Sequence, residues 1–570
     1  MPGYYISYNS PTTSTPITQE SNLLEDHASV DGWLITRRTL PKFQDHKFFL
    51  DLPSFFFSTD GVLINLDELF LKYHCTNISE LVTLLYKQNG ETFFRCFRGS
   101  FSGIFYDKVK QLMLVFTDHA ATRMLFWLHT NNRVMVSSDI YWLTSHTYNM
   151  QWDQLGLYEL LTYGYMPSHH TVVEGIRRLS AGCYLRITKK SCEQLQYHRF
   201  SNHSIHRSQK EEVENIDRLF RQAVNRALKV NDAYGYQNIF PLSGGLDSRM
   251  VNWVAHDLAK APIENFTYGF KDTPDVIEAR SIAEALGHKW HFINQEGSGF
   301  LSDIEHGVRQ SGMQICYSGV VEVADVFRTI STDKTGIILT GVGGDDILTS
   351  PLNRSWKHYN YGECALTTQL YPEQKLLIPE DFKSLYATRN IFYLYARTFD
   401  CYALGGEVAF QQFTESLSPY MDTDFLEFVF SIPEKRRITY RLYDKWVITC
   451  YPDAARWRHN GTVIGKRAPE LFICHRHIPF GTISKRIIAH LLSRFHIRIG
   501  DQEMLDDYAK DMNPLWHLYY ENNKHYLSDL EPIKDRILSQ VNSSSIQAKM
   551  QALTVLAAVK MIRENHSAVH

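Results

Sequence analysis

Cysteine is scarce in this sequence: nine in 570 residues, odd in number, scattered from Cys75 to Cys474 and without a Cys-x-x-Cys pair. That pattern argues against a disulfide framework or a zinc ribbon and for a reducing compartment. Positive charge is not in excess either. Lys and Arg number 59 against 62 Asp and Glu, a formal net charge of −3, so the chain lacks the electrostatic footprint that grips a phosphate backbone, and nucleic acid is not an expected partner. Long apolar runs are missing as well. The longest helical candidate near the end, 552–562, is broken by Lys560 and is about half the length that crosses a bilayer, so no membrane span is expected. Residues 1–31 carry neither a basic start followed by an apolar stretch nor a small-residue cleavage site, and no secretory signal is read there. A cytoplasmic location is expected.

The composition is that of a folded chain: 44% hydrophobic and 21% charged rule out a mostly disordered or fibrous protein. Its length, at about 150 residues per domain, suggests three to four units and at least two. The first 200 residues are rich in short β runs, at 48–50, 62–64, 103–106 and 112–116, bounded by Asp-Gly, Arg-Gly and Asn-Asn turns. Helical periodicity interrupts them at 66–73 and 78–88. Together these predict an α+β sandwich of paired strands. A polar stretch, SNHSIHRSQ at 201–209, reads as a linker, and from Lys210 the cadence becomes helix, apolar strand, glycine-rich turn, helix, as in a parallel sheet with crossovers. Two domains are expected, 1–205 and 206–570. Histidines 169 and 170, and the set His198, His203 and His206, read as solvated loop residues rather than metal ligands. Cys474-His-Arg-His477 has no second ligand pair and reads as a surface turn.

Residues 236–249 carry the most information. A strand runs into Ser243-Gly244-Gly245 and then a helix, an arrangement that turns backbone N–H groups and the positive end of a helix dipole toward an anion. Asp247 is a hard oxygen ligand suited to Mg²⁺ beside phosphates, and Ser243 and Ser248 supply hydroxyl donors. No lysine lies in the turn, so it is not the loop that serves γ-phosphate transfer. It suits pyrophosphate as a leaving group, which implies attack at the α-phosphate. Two more strands end in the same way: 265–270, followed by a helix over 275–286 capped by Gly287, and 336–339, which flows into Thr340-Gly341-Val342-Gly343-Gly344-Asp345-Asp346. Strand ends of this kind line the crevice of a doubly wound sheet, and Asp345 can meet the same metal as Asp247.

The order SGGLDS (243–248), FTYGFKDTPDVIEARSIAEALGH (266–288) and TGVGGDD (340–346) resembles the asparagine synthetase family, whose relatives include β-lactam synthetases and lasso-peptide macrolactam cyclases. The likeness extends through 419–433 and 443–448. In the first half, 97–107, Thr117-Asp118, 164–167 and 175–185 are similar to that family's glutaminase-type sandwich. The resemblance implies an N-terminal glutaminase-like αββα sandwich followed by an ATP-pyrophosphatase (PP-loop) parallel-sheet α/β domain, with ATP and Mg²⁺ as cofactors. Carried over residue by residue, it places ATP at Leu242, Ser243, Gly244, Gly245, Asp247, Ser248, Tyr268, Thr340 and Gly341, and magnesium at Asp247 and Asp345. The implied reaction adenylates a carboxylate, releases pyrophosphate and lets an amine displace AMP.

The sequence departs from that pattern at informative points. A glutamine-hydrolysing relative needs a cysteine directly after the initiator Met; this chain reads Met1-Pro2-Gly3, and no cysteine precedes Cys75. The Arg-Gly-Pro-Asp element that helps hold glutamine is absent, since Arg37-Arg38 is followed by Thr-Leu. Val342 stands where asparagine synthetases place a glutamate, and Gly344 replaces a small polar residue. Near Asn460 the family supplies a lysine for pyrophosphate, and Arg458 or Lys466 would substitute. These departures point away from glutamine and ammonia and toward an amine carried by the substrate. A peptide α-amine, with a reference pKa of about 7.7 to 8.0, is chemically ready. The expected activity is therefore a macrolactam closure on a ribosomal precursor peptide, with a leader-peptide protease as partner. The alternatives are an asparagine synthetase or β-lactam synthetase-type ligase acting on a small carboxylate and amine, and a non-catalytic nucleotide-binding scaffold.

Overall fold

The computed structural model describes residues 2–9, 22–130, 133–147, 150–324, 326–349, 394–399, 405–437, 441–459, 462–464, 470–473, 476–479 and 501–569. Twelve strands open the chain: β1 (Gly3–Tyr8), β2 (Leu24–Val30), β3 (Trp33–Thr39), β4 (Phe49–Asp51), β5 (Phe55–Leu63), β6 (Gly99–Asp107), β7 (Leu112–Thr117), β8 (Phe126–Thr130), β9 (Arg133–Ser137), β10 (Ile176–Arg178), β11 (Cys183–Ile187) and β12 (Cys192–Gln196). They form two antiparallel six-stranded sheets, ordered β10-β8-β9-β1-β3-β2 and β12-β11-β7-β6-β5-β4.

The period of two along these strands decides which layer each side chain joins. In β5 and β6, Phe56, Ile104 and Tyr106 face the first sheet and pack with Tyr4, Ile6, Trp33 and Ile35. Their neighbours Phe55, Phe57, Phe101 and Phe105 face outward onto a helical layer made of α1 (Leu66–Tyr73) and α2 (Ile78–Asn89). The N-cap Asn77 accepts from the Glu80 N–H while the Glu80 carboxylate accepts from the Thr76 N–H, so the entrance to α2 is fixed from both sides. The other sheet turns Tyr5, Phe126, Leu128 and Met135 toward α3 (Ile140–Ser145) and α4 (Gln154–Tyr163). The result is the four-layered αββα sandwich.

A 26-residue helix, α5 (Gln209–Tyr234), capped by Ser208 and closed by left-handed Gly235, leads into the second half. There β13 (Asn238–Pro241), β14 (Ile263–Gly269) and β15 (Lys289–Asn294) pair in parallel, linked by α6 (Leu246–Leu258) and α7 (Pro274–Leu286). On the other side of β13, a parallel bridge between Gln237 and Thr335 brings in β16 (Ile338–Leu339), which pairs in parallel with β17 (Ser416–Leu417). The spatial order is thus β15-β14-β13-β16-β17. The chain reverses direction of growth between β13 and β16, and that is where an open α/β sheet binds its ligand.

The two halves share buried structure. The apolar segment 552–562 lies within a helix, Ile546–Val569, and is buried nearly all round, against α3, α4 and the helix Ile304–Gln310. No helix among the described residues is long and apolar enough to cross a membrane. One expectation needs correcting. His203 and His206 are exposed, but His169, His170 and His198 are not solvated loop residues: His170 pairs with Asp153 at 2.6 Å, its ring stacks on His169, and His198 lies 3.2 Å from Glu427. Packing of α4 against the loop before β10 encloses the first two, which a linear reading could not foresee. Cys474 and His475 lie outside the described residues.

Candidate active site

The site is built from two loops that leave neighbouring strands at the switch point. The first follows β13. The Leu242 N–H donates to the Phe266 carbonyl and its carbonyl accepts from Thr267 Oγ1, so β14 holds the loop in place. Ser243 then makes a local knot: its N–H donates to Ser248 Oγ at 3.0 Å, and its own Oγ accepts from the Gly245 N–H at 3.1 Å. The Gly244 N–H donates to Asp275 Oδ1 at 2.9 Å. These three amides were expected to stand open toward an anion; instead the loop's own serines engage two of them and Asp275, at the start of α7, engages the third, which pre-sets the loop's shape. The N-cap of α6 is Gly245, which offers no side-chain cap, so the amides of the first helical turn keep the character of an anion site.

The second loop follows β16 and lies directly on the first. At Gly341 a Cβ would come 2.5 Å from the Ser248 nitrogen, and at Gly344 one would come 2.5 Å from the Asp247 carboxyl carbon. The glycines are thus required by close approach rather than by turn geometry. Because Gly344 has no side chain, the Asp345 N–H reaches Asp247 Oδ2 at 2.9 Å. Tyr443 donates to Asp247 Oδ1 at 2.9 Å and is itself 2.6 Å from the Tyr420 hydroxyl, which also donates to the Asp247 carbonyl. Burial pushes the Asp247 carboxyl well above the usual carboxylate range, and the Asp345 carboxylate pushes it further. Two carboxyls arranged this way favour a cation between them.

A magnesium ion fits that donor set. Among the described residues no group of three or more His, Cys, Asp and Glu could hold a metal alone. Mg²⁺ characteristically takes one or two carboxylates and completes its shell with water and substrate phosphates, so Asp247 and Asp345 suffice if a nucleotide supplies the rest.

The structure brings together Leu242, Ser243, Gly244, Gly245, Asp247, Ser248, Thr340, Gly341 and Asp345. Tyr268 ends the adjacent β14, where burial, Glu322 and Asp275 raise its phenol. Thr340 Oγ1 donates to the buried Glu407. Arg458 lies close by: its carbonyl accepts from Arg249, whose guanidinium also holds the Gly244 carbonyl at 2.9 Å, and its N–H donates to Glu278. Lys466 and Asn460 lie outside the described residues. Val342 packs against the apolar core. Five participants escaped the sequence reading: Arg249, Asp275, Glu407, Tyr420 and Tyr443. Tyr420 and Tyr443 stand in segments whose likeness to the family was noted without a role, and their approach to Asp247 across more than 170 positions has no local signature.

At the seam between the two halves, Pro2 lines a partly open cleft with Asp60, Ser102 and Arg123 of the sandwich and Gln310, Val408 and Gln411 of the second half. Arg37 is fully engaged with Asp26 and the carbonyls of Phe48 and Thr59, and Arg38 with Glu25.

Comparison with known proteins places both halves. A glutamine amidotransferase domain family matches residues 62–198, and an asparagine synthase family matches residues 215–391. Among curated relatives, the chain is 23% identical over 294 residues to amidase chyE of Penicillium rubens, covering 48% of this chain and 42% of that protein. It is 23% identical over 292 residues to a probable glutamine-hydrolysing asparagine synthetase of Dictyostelium discoideum, covering 47% and 46%. It is 29% identical over 143 residues to a glutamine-hydrolysing asparagine synthetase of Gallus gallus, covering 23% and 24%. The matched stretch spans less than half the length of each of these relatives.

Proposed function

The chain belongs to the asparagine synthetase family, and from that premise we propose that it is an ATP-dependent, AMP-forming carbon–nitrogen ligase whose amine is carried by its substrate. The observation that carries this reading is the meeting of Asp247 and Asp345 on two glycine loops at the switch point of a parallel sheet. The first-turn amides of α6 and the hydroxyls of Ser243 and Ser248 would bind the nucleotide's phosphates, and Arg458 or Lys466 would neutralise the departing pyrophosphate. Magnesium at Asp247 and Asp345 would supply charge neutralisation there. Adenylation of a carboxyl group makes it a good acyl donor, and the closed site protects it from water.

The source of the amine follows from the sandwich. Pro2 offers no thiol with which to hydrolyse glutamine, so this half would act as a structural or docking layer. An amine tethered to the same molecule as the activated carboxylate would react with an effective molarity of about 10⁵ M or more. Macrolactam closure of a ribosomal precursor peptide, of the lasso-peptide kind and alongside a leader-peptide protease, is the finer form of the proposal. Amide formation on a small molecule is the second reading, and a partly open cleft of about 300 Å³ lined by Gly164, Cys316 and Glu322 favours it. A nucleotide-binding scaffold would have no use for the paired carboxylates. ATP–pyrophosphate exchange by the purified chain, with Mg²⁺ and candidate Asp- or Glu-containing peptides, tests the reading: exchange is expected to depend on the carboxylate and to vanish in Asp247→Ala. Absence of exchange with every peptide and amino acid offered would overturn it. A short precursor gene and a protease gene next to this one separate the peptide reading from the small-molecule one.

A further inference from the structure

A second cavity lies where the sandwich and the α/β half meet. The Cys316 N–H donates to the Gly164 carbonyl, and Tyr165 bridges Ile315. Behind this seam is a partly open cleft of about 300 Å³ lined by Gly164, Cys316, Gly319, Glu322, Gly405 and Met550. It reaches toward the nucleotide loops. The charges of Glu322 and of Asp275, the residue that holds Gly244, both act on the Tyr268 phenol. Gly405 and Gly406 open the helix of Glu407, the acceptor of the Thr340 hydroxyl.

Among the described residues the wall mixes apolar Leu301, Ile315 and Met550 with polar Ser318 and Gln547, and Glu322 is its one ionisable carboxylate. Its backbone carbonyl accepts from Gln295, but its carboxylate has no hydrogen bond or ion pair among the described residues. Burial alone raises this carboxyl to about 7. Glu159 is raised as far, although its carboxylate accepts from Ser168 at 2.7 Å. A buried carboxylate with no such donor among the described residues is costly to the fold unless a cation meets it. Gly319, three residues earlier, lies on the same face of that helix, and a Cβ there would meet nothing within 4 Å, so the glycine leaves the space beside Glu322 open.

We infer that this cavity is the acceptor subsite of the ligase and that Glu322 binds the ammonium form of the substrate amine. The inference rests on the ligase reading and names the chemistry of its amine, whether tethered or separate: a primary alkylammonium on an apolar stem. It also accounts for Val342, since the carboxylate on the third loop of asparagine synthetases is replaced by one reaching the site from another wall.

The test is calorimetric titration of the full chain at pH 8 with n-butylammonium and with the neutral 1-butanol. The wild type is expected to bind the ammonium at least about tenfold more tightly than the alcohol. Glu322→Gln should bring the ratio close to one, and Gly319→Leu, which fills the space without touching Glu322, should remove both. Equal binding of the two probes by the wild type, or an unchanged preference in Glu322→Gln, overturns the inference. If Glu322→Gln fails to fold, Gly319→Leu decides, since a leucine variant that still binds butylammonium puts the amine elsewhere. Pyrophosphate exchange on the same preparations separates the two claims. Exchange without ammonium preference refutes the subsite alone, and ammonium preference without exchange refutes the ligase reading alone.

Discussion

Two groups of buried carboxylates, one at the seam between the halves and one at the nucleotide loops, are treated in opposite ways. At the seam, Asp60 accepts from Thr39 at 2.6 Å and pairs with Arg123 at 2.7 Å, while Arg123 also reaches Glu415, which Lys47 meets at 2.8 Å. Burial pushes Asp60 up, but Arg123, Lys47, Thr39 and Arg37 together hold it below the usual carboxylate range. At the loops, burial and the facing Asp345 both push Asp247 up, and the hydrogen bonds from Asp345 N–H and Tyr443 do not cancel them. The first group balances its charges within the chain and joins β5 of the sandwich to the strand region of the second half. The second sets carboxyl against carboxyl, where the proposed cation would act. Buried charge that the chain has already paired is structural, and buried charge left facing its own sign marks a place for something else.

Removing one partner breaks this comparison most sharply at the seam. Arg123→Met leaves Asp60 and Glu415 buried without their shared cation, and a loss of roughly 3–5 kcal/mol in denaturant-derived stability is expected. A loss below about 1 kcal/mol would make the network ornamental and void the contrast. At the loops the sign reverses. Asp247→Asn removes a like charge, so the nucleotide-free variant should be as stable as the wild type or more so, while pyrophosphate exchange falls by at least about a hundredfold. The pH dependence follows from the same raised carboxyl. A folded-state pKa above the unfolded one means that stability is full below the ordinary carboxylate range and is lost as pH rises out of it. Melting curves of wild type and Asp247→Asn without Mg²⁺ should therefore coincide near pH 4 and separate toward neutrality, with the variant on top. Parallel curves would show that Asp247 is already neutralised by something in the chain.

What could be read in the sequence was local. Strand, glycine turn, helix and carboxylate fall within a dozen residues in each motif, so Asp247 and Asp345, the loops that carry them and the cap at Gly287 were all visible in linear order. The sandwich was visible too, through strands whose alternate residues are large and apolar. The rest is long-range. Arg123 meets Asp60 across 63 positions and Glu415 across 292, and no periodicity announces a pair of that kind. Glu322 is one acid in an unremarkable helix until the wall around it is known. His170 looked like loop polarity because its partner Asp153 belongs to the start of another element. Gly344 shows the limit most clearly: in the sequence it is a missing side chain, and in the fold it is the contact surface for Asp247.

That contact yields the smallest of the expected effects. Gly344→Ala would place a methyl carbon 2.5 Å from the Asp247 carboxyl carbon. Gly344 has no left-handed backbone to protect, so the whole consequence is steric. The atom struck is the end of an aspartate side chain, which can swing away, and swinging breaks its bonds from the Asp345 N–H and Tyr443. Two hydrogen bonds to a charged acceptor are lost, but the buried Tyr443 hydroxyl keeps its bond with Tyr420, so a stability loss of about 1 kcal/mol is expected. The effect on chemistry should be larger, because the displaced group is the proposed metal ligand: about tenfold in pyrophosphate exchange, appearing chiefly as a raised requirement for Mg²⁺. A variant that loses stability but keeps its Mg²⁺ requirement would show that Asp247 is placed by its own helix and not by the second loop. The two loops would then be neighbours without being one site.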